Sequence, residues 1–318
     1  MSDSLIGVSI ASRSMAARDI VSLDLVSVDG ALLPPFTPGA HIDLHLPGGL
    51  IRQYSLCNPS IETGSYRVAV LLDPETRGGS RAVHALSAGD RLFISAPRNH
   101  FPLVESSADI VLLGGGIGIT PLLAMAYALY RESRSFTLHY CSRSSDRMAF
   151  REDLHTAPFA DRVQLHFDDG DASQHFRAAE AMGSHVPGRY IYTCGPTGFL
   201  AHVLATAKTA GWPDEAVRYE RFSADVDTHG GHFTIIAQRS GLSFTVGDDQ
   251  TIAAALAANG IAVPLSCEQG VCGTCLTKVL EGVPDHRDLY LTDAERAAND
   301  SMTICCSRAL TPTLVLDV

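Results

Sequence analysis

The 318-residue chain is short of positive charge: 24 Lys and Arg stand against 35 Asp and Glu, a formal net charge of -11. Such a surface repels phosphate backbones, which excludes nucleic acid as a partner and leaves acidity suited either to plain solubility or to a partner with a basic patch. Internal repeats and low-complexity tracts are missing. A membrane span is not expected either. Ile110 to Tyr130 carries no charge over 21 residues, but Gly114-Gly115-Gly116 and Pro121 interrupt it, so it reads as strand, loop and buried helix. Met1 to Arg18 has polar residues throughout and no uninterrupted apolar core of signal-peptide length, which points to the cytoplasm. Eight cysteines in so long a chain do not make a disulfide scaffold, and Cys57, Cys141 and Cys194 are widely separated and expected to be reduced.

What the chain does have is a cysteine pattern near its C-terminus. Cys267, Cys272, Cys275 and Cys305 give C-x4-C-x2-C-x29-C, the plant-type spacing for a [2Fe-2S] cluster. A zinc site would need a second C-x2-C or a His pair at short range, and neither is present. The loop Ser266 to Cys275 holds two glycines, at 270 and 273, where backbone must approach inorganic sulfide, and its N–H groups can hydrogen-bond the sulfurs. Cys306 follows Cys305 directly; Cys305 is taken as the fourth ligand because a span of 29 residues fits the pattern better.

At 46% hydrophobic and 19% charged, the chain has room for two or three ordinary globular domains. Short alternating apolar runs fill residues 1–104: Ile20 to Val28, His41 to Leu46, Gln53 to Cys57, Tyr66 to Leu72 and Arg91 to Ser95. They predict a small antiparallel β-barrel. Over residues 105–225 strands alternate with helices, among them Leu122 to Tyr130, Met148 to His155 and Phe199 to Ala210, which predicts an α/β domain on a parallel sheet. Ser223 to Gly231 is polar and suits a linker. The last domain, 232–318, opens with a hairpin and an Ala-rich helix, Thr251 to Asn259, closed by Gly260.

Two further constellations carry chemistry. Asp109 to Pro121 is a hydrophobic strand, a glycine-rich turn and a helix with Thr120 expected as N-cap and Pro121 at N1; its free N–H groups and dipole suit a pyrophosphate or a flavin edge. Taken alone it also fits a turn that binds nothing. Tyr192-Thr193-Cys194-Gly195-Pro196 ends another strand at the same sheet edge, where ligands of open α/β sheets collect, and the two loops together frame a nicotinamide site. Earlier, Arg52 and Tyr54 share one strand face, fit to hold a phosphate and a ring, while Ser55 on the other can hydrogen-bond a flavin N5. Arg77-Gly78-Gly79-Ser80 adds donors for a phosphate.

In this order Arg52-Gln53-Tyr54-Ser55-Leu56, Arg77-Gly78-Gly79-Ser80, Pro97 to Leu103, Gly114 to Pro121, Cys194-Gly195-Pro196 and the cysteine pattern resemble the phthalate dioxygenase reductase family, over nearly the whole chain. The resemblance implies a β-barrel that binds FMN, an α/β domain that binds NADH and a C-terminal α+β β-grasp ferredoxin domain. It implies FMN contacts from Arg52, Tyr54, Ser55, Gly79, Ser80 and Thr120, with Phe222 covering the flavin where nicotinamide enters, and Gly116, Cys194 and Pro196 lining the nicotinamide pocket. Hydride transfer would then run beside Ser55, Cys194 and Phe222, and electrons would leave singly through the cluster to a Rieske-type oxygenase, the reductase being a monomer. Other acceptors, a diiron monooxygenase or a haem protein, stay open, and a cluster-bearing redox sensor without activity is the bland alternative. Arg143, after the second strand of the α/β domain, stands where a cation would favour NADPH, or is a solvated loop residue.

Overall fold

Strict alternation along the N-terminal hundred residues builds a curled six-stranded antiparallel sheet in the order β4-β3-β6-β1-β2-β5: β1 (Ile6–Ala17), β2 (Ile20–Ser27), β3 (His41–His45), β4 (Ile51–Ser55), β5 (Tyr66–Leu71) and β6 (Arg91–Ile94). The computed structural model describes residues 5–61, 64–74, 78–105, 109–224 and 226–318. Every second side chain turns inward, and Val8, Val21, Leu23, Leu25, Ile42, Leu44 and Ile94 are wholly buried in one core. Burying side chains of this size stabilises by roughly 1.5–3 kcal/mol each. A short helix, α1 (Gly79–His84), follows β5.

The second sheet is entirely parallel, in the order β11-β10-β7-β8-β9: β7 (Asp109–Gly115), β8 (Phe136–Ser142), β9 (Val163–Phe167), β10 (Arg189–Cys194) and β11 (Val217–Glu220). Between these strands run α2 (Ile119–Arg131), α3 (Arg151–Thr156), α4 (Ala178–Met182) and α5 (Thr197–Thr209). The chain proceeds outward from β7 to β9, then returns to place β10 on the other side of β7. The crevice between the C-terminal ends of β7 and β10 is therefore the topological switch point, where open α/β sheets bind ligands.

Three strands of these two sheets were not foreseen in the sequence, β1, β9 and β11. The second half of β1 is largely exposed, β9 is an edge strand with only Phe167 buried and β11 an edge strand with no buried residue, so none shows a clean apolar alternation. The expected Gln53 to Cys57 strand lies two residues earlier, as Ile51–Ser55. The helix start at Thr120 is also corrected. A 3₁₀ turn, Gly116–Gly118, takes up the glycine run, and α2 begins at Ile119. Thr120 sits inside the first turn, its hydroxyl donating to the Ile117 carbonyl at 3.0 Å.

The chain divides into two compact units, Met1–Phe222 and Ser223–Val318. In the first, barrel and parallel sheet share a core: Cys57 and Ala69 pack with Ile119 and Leu122, and the Phe101 ring lies 5.4 Å from that of Tyr192. The second holds a five-stranded mixed sheet in the order β13-β12-β18-β14-β16, made of β12 (Phe233–Ala237), β13 (Leu242–Val246), β14 (Leu276–Glu281), β16 (Ser301–Thr303) and β18 (Thr313–Leu316), and a separate antiparallel pair, β15 (Pro284–Asp285) and β17 (Arg308–Ala309); β12 pairs with β18 in parallel and with β13 antiparallel. Helix α6 (Ile252–Ala258) presses Ile252, Ala255 and Leu256 onto it. Thr251 caps α6, accepting from the Ala254 N–H at 3.1 Å. A second short helix, α7 (Asp293–Ala298), starts in a capping box of Thr292 and Glu295.

Much of the stretch expected as a linker is tied down. Arg308, buried, donates to the carbonyls of Thr228 (2.8 Å), Gly230 (3.2 Å) and Gly231 (3.0 Å), and Arg287 donates to those of Asp227 (2.7 Å) and His229 (2.6 Å). Charge-assisted bonds of this kind are roughly twice as strong as neutral ones. Among the described residues no helix is long and apolar enough to cross a membrane.

Candidate functional site

The first unit brings the sequence-predicted residues together in two groups. Arg52 and Tyr54 project from one face of β4. The Arg52 stem lies across the N-terminus of α1 so closely that a Cβ on Gly79 would come within 2.6 Å of its Cγ; only glycine fits beneath this arginine, which leaves the helix start and the guanidinium side by side. Gly78 opens that turn at φ +93°. The Ser80 hydroxyl accepts from the Asp73 N–H at 3.2 Å. Arg77 lies outside the described residues. Tyr54 is mostly covered, and burial pushes its phenol up to about 12 against the pull of Arg52, so it stays neutral, a ring surface with one hydroxyl. Ser55 is buried at the end of β4. This set fits FMN: a cation and backbone N–H groups for its phosphate at one end, a flat ring and a hydroxyl for its isoalloxazine at the other.

At the switch point the second group assembles by register. Cys194 stands opposite Gly114 on one side and opposite Glu220 on the other. Gly118 is packed against the Cys194 carbonyl with no space for a Cβ, and Gly115 against Pro196 and Phe199, so the two loops touch through bare backbone. Gly116 turns at φ +53° with open space around it. Pro196 caps α5 and is exposed, Cys194 is fully buried, and Phe222, the last residue of the unit, is 36% exposed just beyond β11. Burial, with Glu220 beside it, holds the Cys194 thiol far above its ordinary value. The thiol is neutral and lies beneath the crevice rather than at its surface.

Glu220 was not foreseen. In Arg218-Tyr219-Glu220-Arg221 it reads as one charge among several, and only the parallel pairing of β10 with β11 sets it beside Cys194. Its Oε2 is buried with no partner among the described residues, and burial raises its carboxyl to about 8. The sign follows: the folded state holds a proton that the unfolded chain releases above pH 4.5, so stability present below that pH is lost as pH rises through about 8. Glu220→Gln is expected to raise the melting temperature by several degrees at pH 8.5 and to leave it nearly unchanged at pH 4.5, read by thermal unfolding across that range.

In the second unit the four ligand candidates meet. The Cys267 thiol is hydrogen-bonded by those of Cys272 and Cys305 and by the Gln269 and Val271 N–H groups, and is held well below its ordinary value; the Gln269 N–H is 3.4 Å from its Sγ. Cys275 bonds the Cys305 thiol. The Cys306 thiol also bonds that of Cys305; its sulfur lies 3.2 Å from the Thr303 hydroxyl and where a Cβ on Gly270 would come within 2.5 Å. Gly270 thus makes room for Cys306, a use the sequence reading had assigned to sulfide. Among the described residues no three His, Cys, Asp or Glu side chains are grouped to hold a single metal ion. Thiolates flanked by backbone donors are the donor set that [2Fe-2S] requires.

Comparison with known proteins agrees. Residues 235–310 match the 2Fe-2S iron-sulfur cluster binding domain. The chain is 52% identical over 293 residues, 91% of its length and 92% of the relative's, to a vanillate O-demethylase oxidoreductase of Pseudomonas sp. (strain HR199 / DSM 7063). It is 48% identical to the vanillate O-demethylase oxidoreductase of Pseudomonas putida, covering 99% of this chain and 100% of that one. The solved phthalate dioxygenase reductase, described as a modular structure for electron transfer from pyridine nucleotides to [2Fe-2S], superposes with a TM-score of 0.79 at 38% identity, covering 99% and 98% of the two chains. With order of sheets, cysteine knot and full-length similarity in agreement, the chain belongs to the phthalate dioxygenase reductase family.

Proposed function

We propose that the chain is the NADH-dependent reductase component of a Rieske-type oxygenase system, with residues 1–104 binding FMN, 105–225 binding NADH and 232–318 carrying the [2Fe-2S] cluster. The observation that carries it is the coexistence, in one chain, of a pyridine-nucleotide crevice at a switch point and a four-thiol knot. When bound, FMN would accept one hydride, two electrons at once, and give up electrons singly, which joins a two-electron donor to a one-electron carrier. The protein's part is positioning: Arg52 and the α1 turn hold the phosphate, Tyr54 supports the ring, Ser55 presents its hydroxyl at the N5 edge, and Gly116, Cys194 and Pro196 seat the nicotinamide under Phe222. Glu220, protonated through neutral pH, adds a donor at the same edge. Cys267, Cys272, Cys275 and Cys305 hold the irons. The partner's substrate is an aromatic acid or aryl ether, the setting is cytoplasmic and the reductase is a monomer. Supporting this reading, the relatives named above are oxidoreductases of vanillate O-demethylation.

An anaerobic NADH titration of the purified protein, followed by visible absorbance with release and identification of the flavin, tests the reading. Uptake of three electrons, two at FMN and one at iron–sulfur, is expected. Uptake of two with no bleaching of the cluster bands would leave a simple flavin reductase.

A further inference from the structure

Oxidation of the dihydronicotinamide balances as NADH → NAD⁺ + H⁺ + 2 e⁻. The hydride reaches flavin N5, both electrons leave one at a time for the cluster and the oxygenase, and one proton stays behind at a nitrogen in a buried site. It must reach water in every turnover. Ser55 is the hydroxyl presented to that nitrogen, and it is itself buried, so the question is what stands behind it.

His41 does. It is the cross-strand partner of Ser55. The Leu56 N–H donates to the Ala40 carbonyl at 2.9 Å, whereas the His41 backbone bonds Arg98 on its other side, donating at 2.9 Å and accepting at 3.0 Å. The His41–Ser55 pair is therefore of the non-hydrogen-bonded kind, in which side chains on one face stand closest. His41 is only 5% exposed, yet both ring nitrogens lack a partner among the described residues. An imidazole always carries at least one N–H, and leaving a buried donor unpaired costs about 1–3 kcal/mol. Behind His41, at 5.3 Å between centroids, lies the ring of His100, which is exposed to solvent.

We propose that His41 and His100 form the route by which the proton left at flavin N5 reaches solvent, with the Ser55 hydroxyl at its inner end. The bonds balance without a further reactant. With FMN bound, the N5 proton would pass to Ser55 Oγ as the Ser55 O–H proton passes to one nitrogen of His41, the other nitrogen would give its proton to His100, and His100 would release one to water; each hand-off needs a turn of the His41 ring, since neither of its nitrogens is hydrogen-bonded among the described residues. The charged groups facing His41 suit a carrier that does not keep its load. Burial, then the positive charge of Arg98 and the His100 ring, push it down to about 4, against the opposing pull of Asp43; Asp43 is itself neutralised by Arg98 at 2.7 Å. His41 is a relay residue and touches no reacting carbon.

The proposal rests on the placing of Ser55 at N5, so the experiment separates the two. The FMN- and cluster-loaded protein is reduced with NADH anaerobically, then reoxidised with ferricyanide in stopped flow, in H₂O and D₂O, for wild type, His41→Gln and the surface variant His100→Gln. Reoxidation slowed about 10-fold or more in His41→Gln, less in His100→Gln, with the wild-type solvent isotope effect altered in both and rate restored by added imidazole in the first, is the expected result. Reoxidation within about twofold of wild type and an unchanged isotope effect in both variants would overturn the relay while leaving the flavin reading intact; failure of wild type to be reduced by NADH at all would sink the flavin reading. Should His41→Gln not load FMN, the imidazole ¹⁵N resonances of wild type and Ser55→Ala decide: loss of the serine hydroxyl is expected to shift His41 in flavin-free and flavin-bound protein alike, and an unmoved His41 signal counts against the relay.

Discussion

Cys305→Ser is expected to yield protein with its flavin in place and less than about a tenth of the wild-type iron and labile sulfide, whereas Cys306→Ser keeps both. The two residues are neighbours in sequence, but their thiols do different things. The Cys305 thiol bonds those of Cys267 and Cys275 and so joins the other candidates directly, while the Cys306 sulfur, besides its bond to Cys305, lies against Thr303, Ser307 and Gly270. Iron analysis, visible absorbance and the low-temperature EPR signal of the reduced cluster check this directly. NADH-driven reduction of a flavin-level dye such as ferricyanide is expected to persist in Cys305→Ser, and reduction of one-electron protein acceptors to fall about 100-fold or more, because only the second route passes through iron. Loss of the cluster from Cys306→Ser with Cys305→Ser unaffected would reverse the ligand assignment.

Gly118→Ala is expected to cost on the order of 3 kcal/mol and to raise the KM for NADH more than about 10-fold. The reason is contact alone. Gly118 has φ -64°, which alanine adopts freely, but its Cβ would meet the Cys194 carbonyl, and neither backbone has room to retreat without moving the two loops that frame the nicotinamide. Gly211→Ala, outside the two loops, is the control. Its Cβ would meet nothing within 4 Å, and its φ of +77° costs about 1 kcal/mol, so nicotinamide binding changes little. Thermal unfolding and steady-state KM with a flavin-level acceptor distinguish the two substitutions; equal effects would mean that strain, and not the loop-to-loop contact, governs the site.

What could be read from sequence was whatever local spacing determines. The cysteine pattern, the glycine turn after an apolar strand and the alternation of the barrel strands are all short-range signals, and the three sheets follow from them. Positions set by pairing were invisible. Glu220 and His41 look ordinary in sequence, one a charge in a charged run, the other a histidine beginning a strand, and each gains its surroundings from a neighbour reached only through register: Cys194 for the first, Ser55 for the second. Thr120 went astray for a different reason. Capping preference favours threonine before proline, but the glycine run enters a 3₁₀ turn first and the helix is under way before Thr120 is reached. The preference for Cys305 rests on spacing; the packing of the Cys306 sulfur against Thr303 and Gly270 could not be seen there.

The arginine clasps on the segment after the first unit carry one more consequence. With the carbonyls of Asp227, Thr228, His229, Gly230 and Gly231 bound, this stretch belongs to the second unit's own fold, and a protease, which needs several residues of free extended backbone, is expected to cut it slowly.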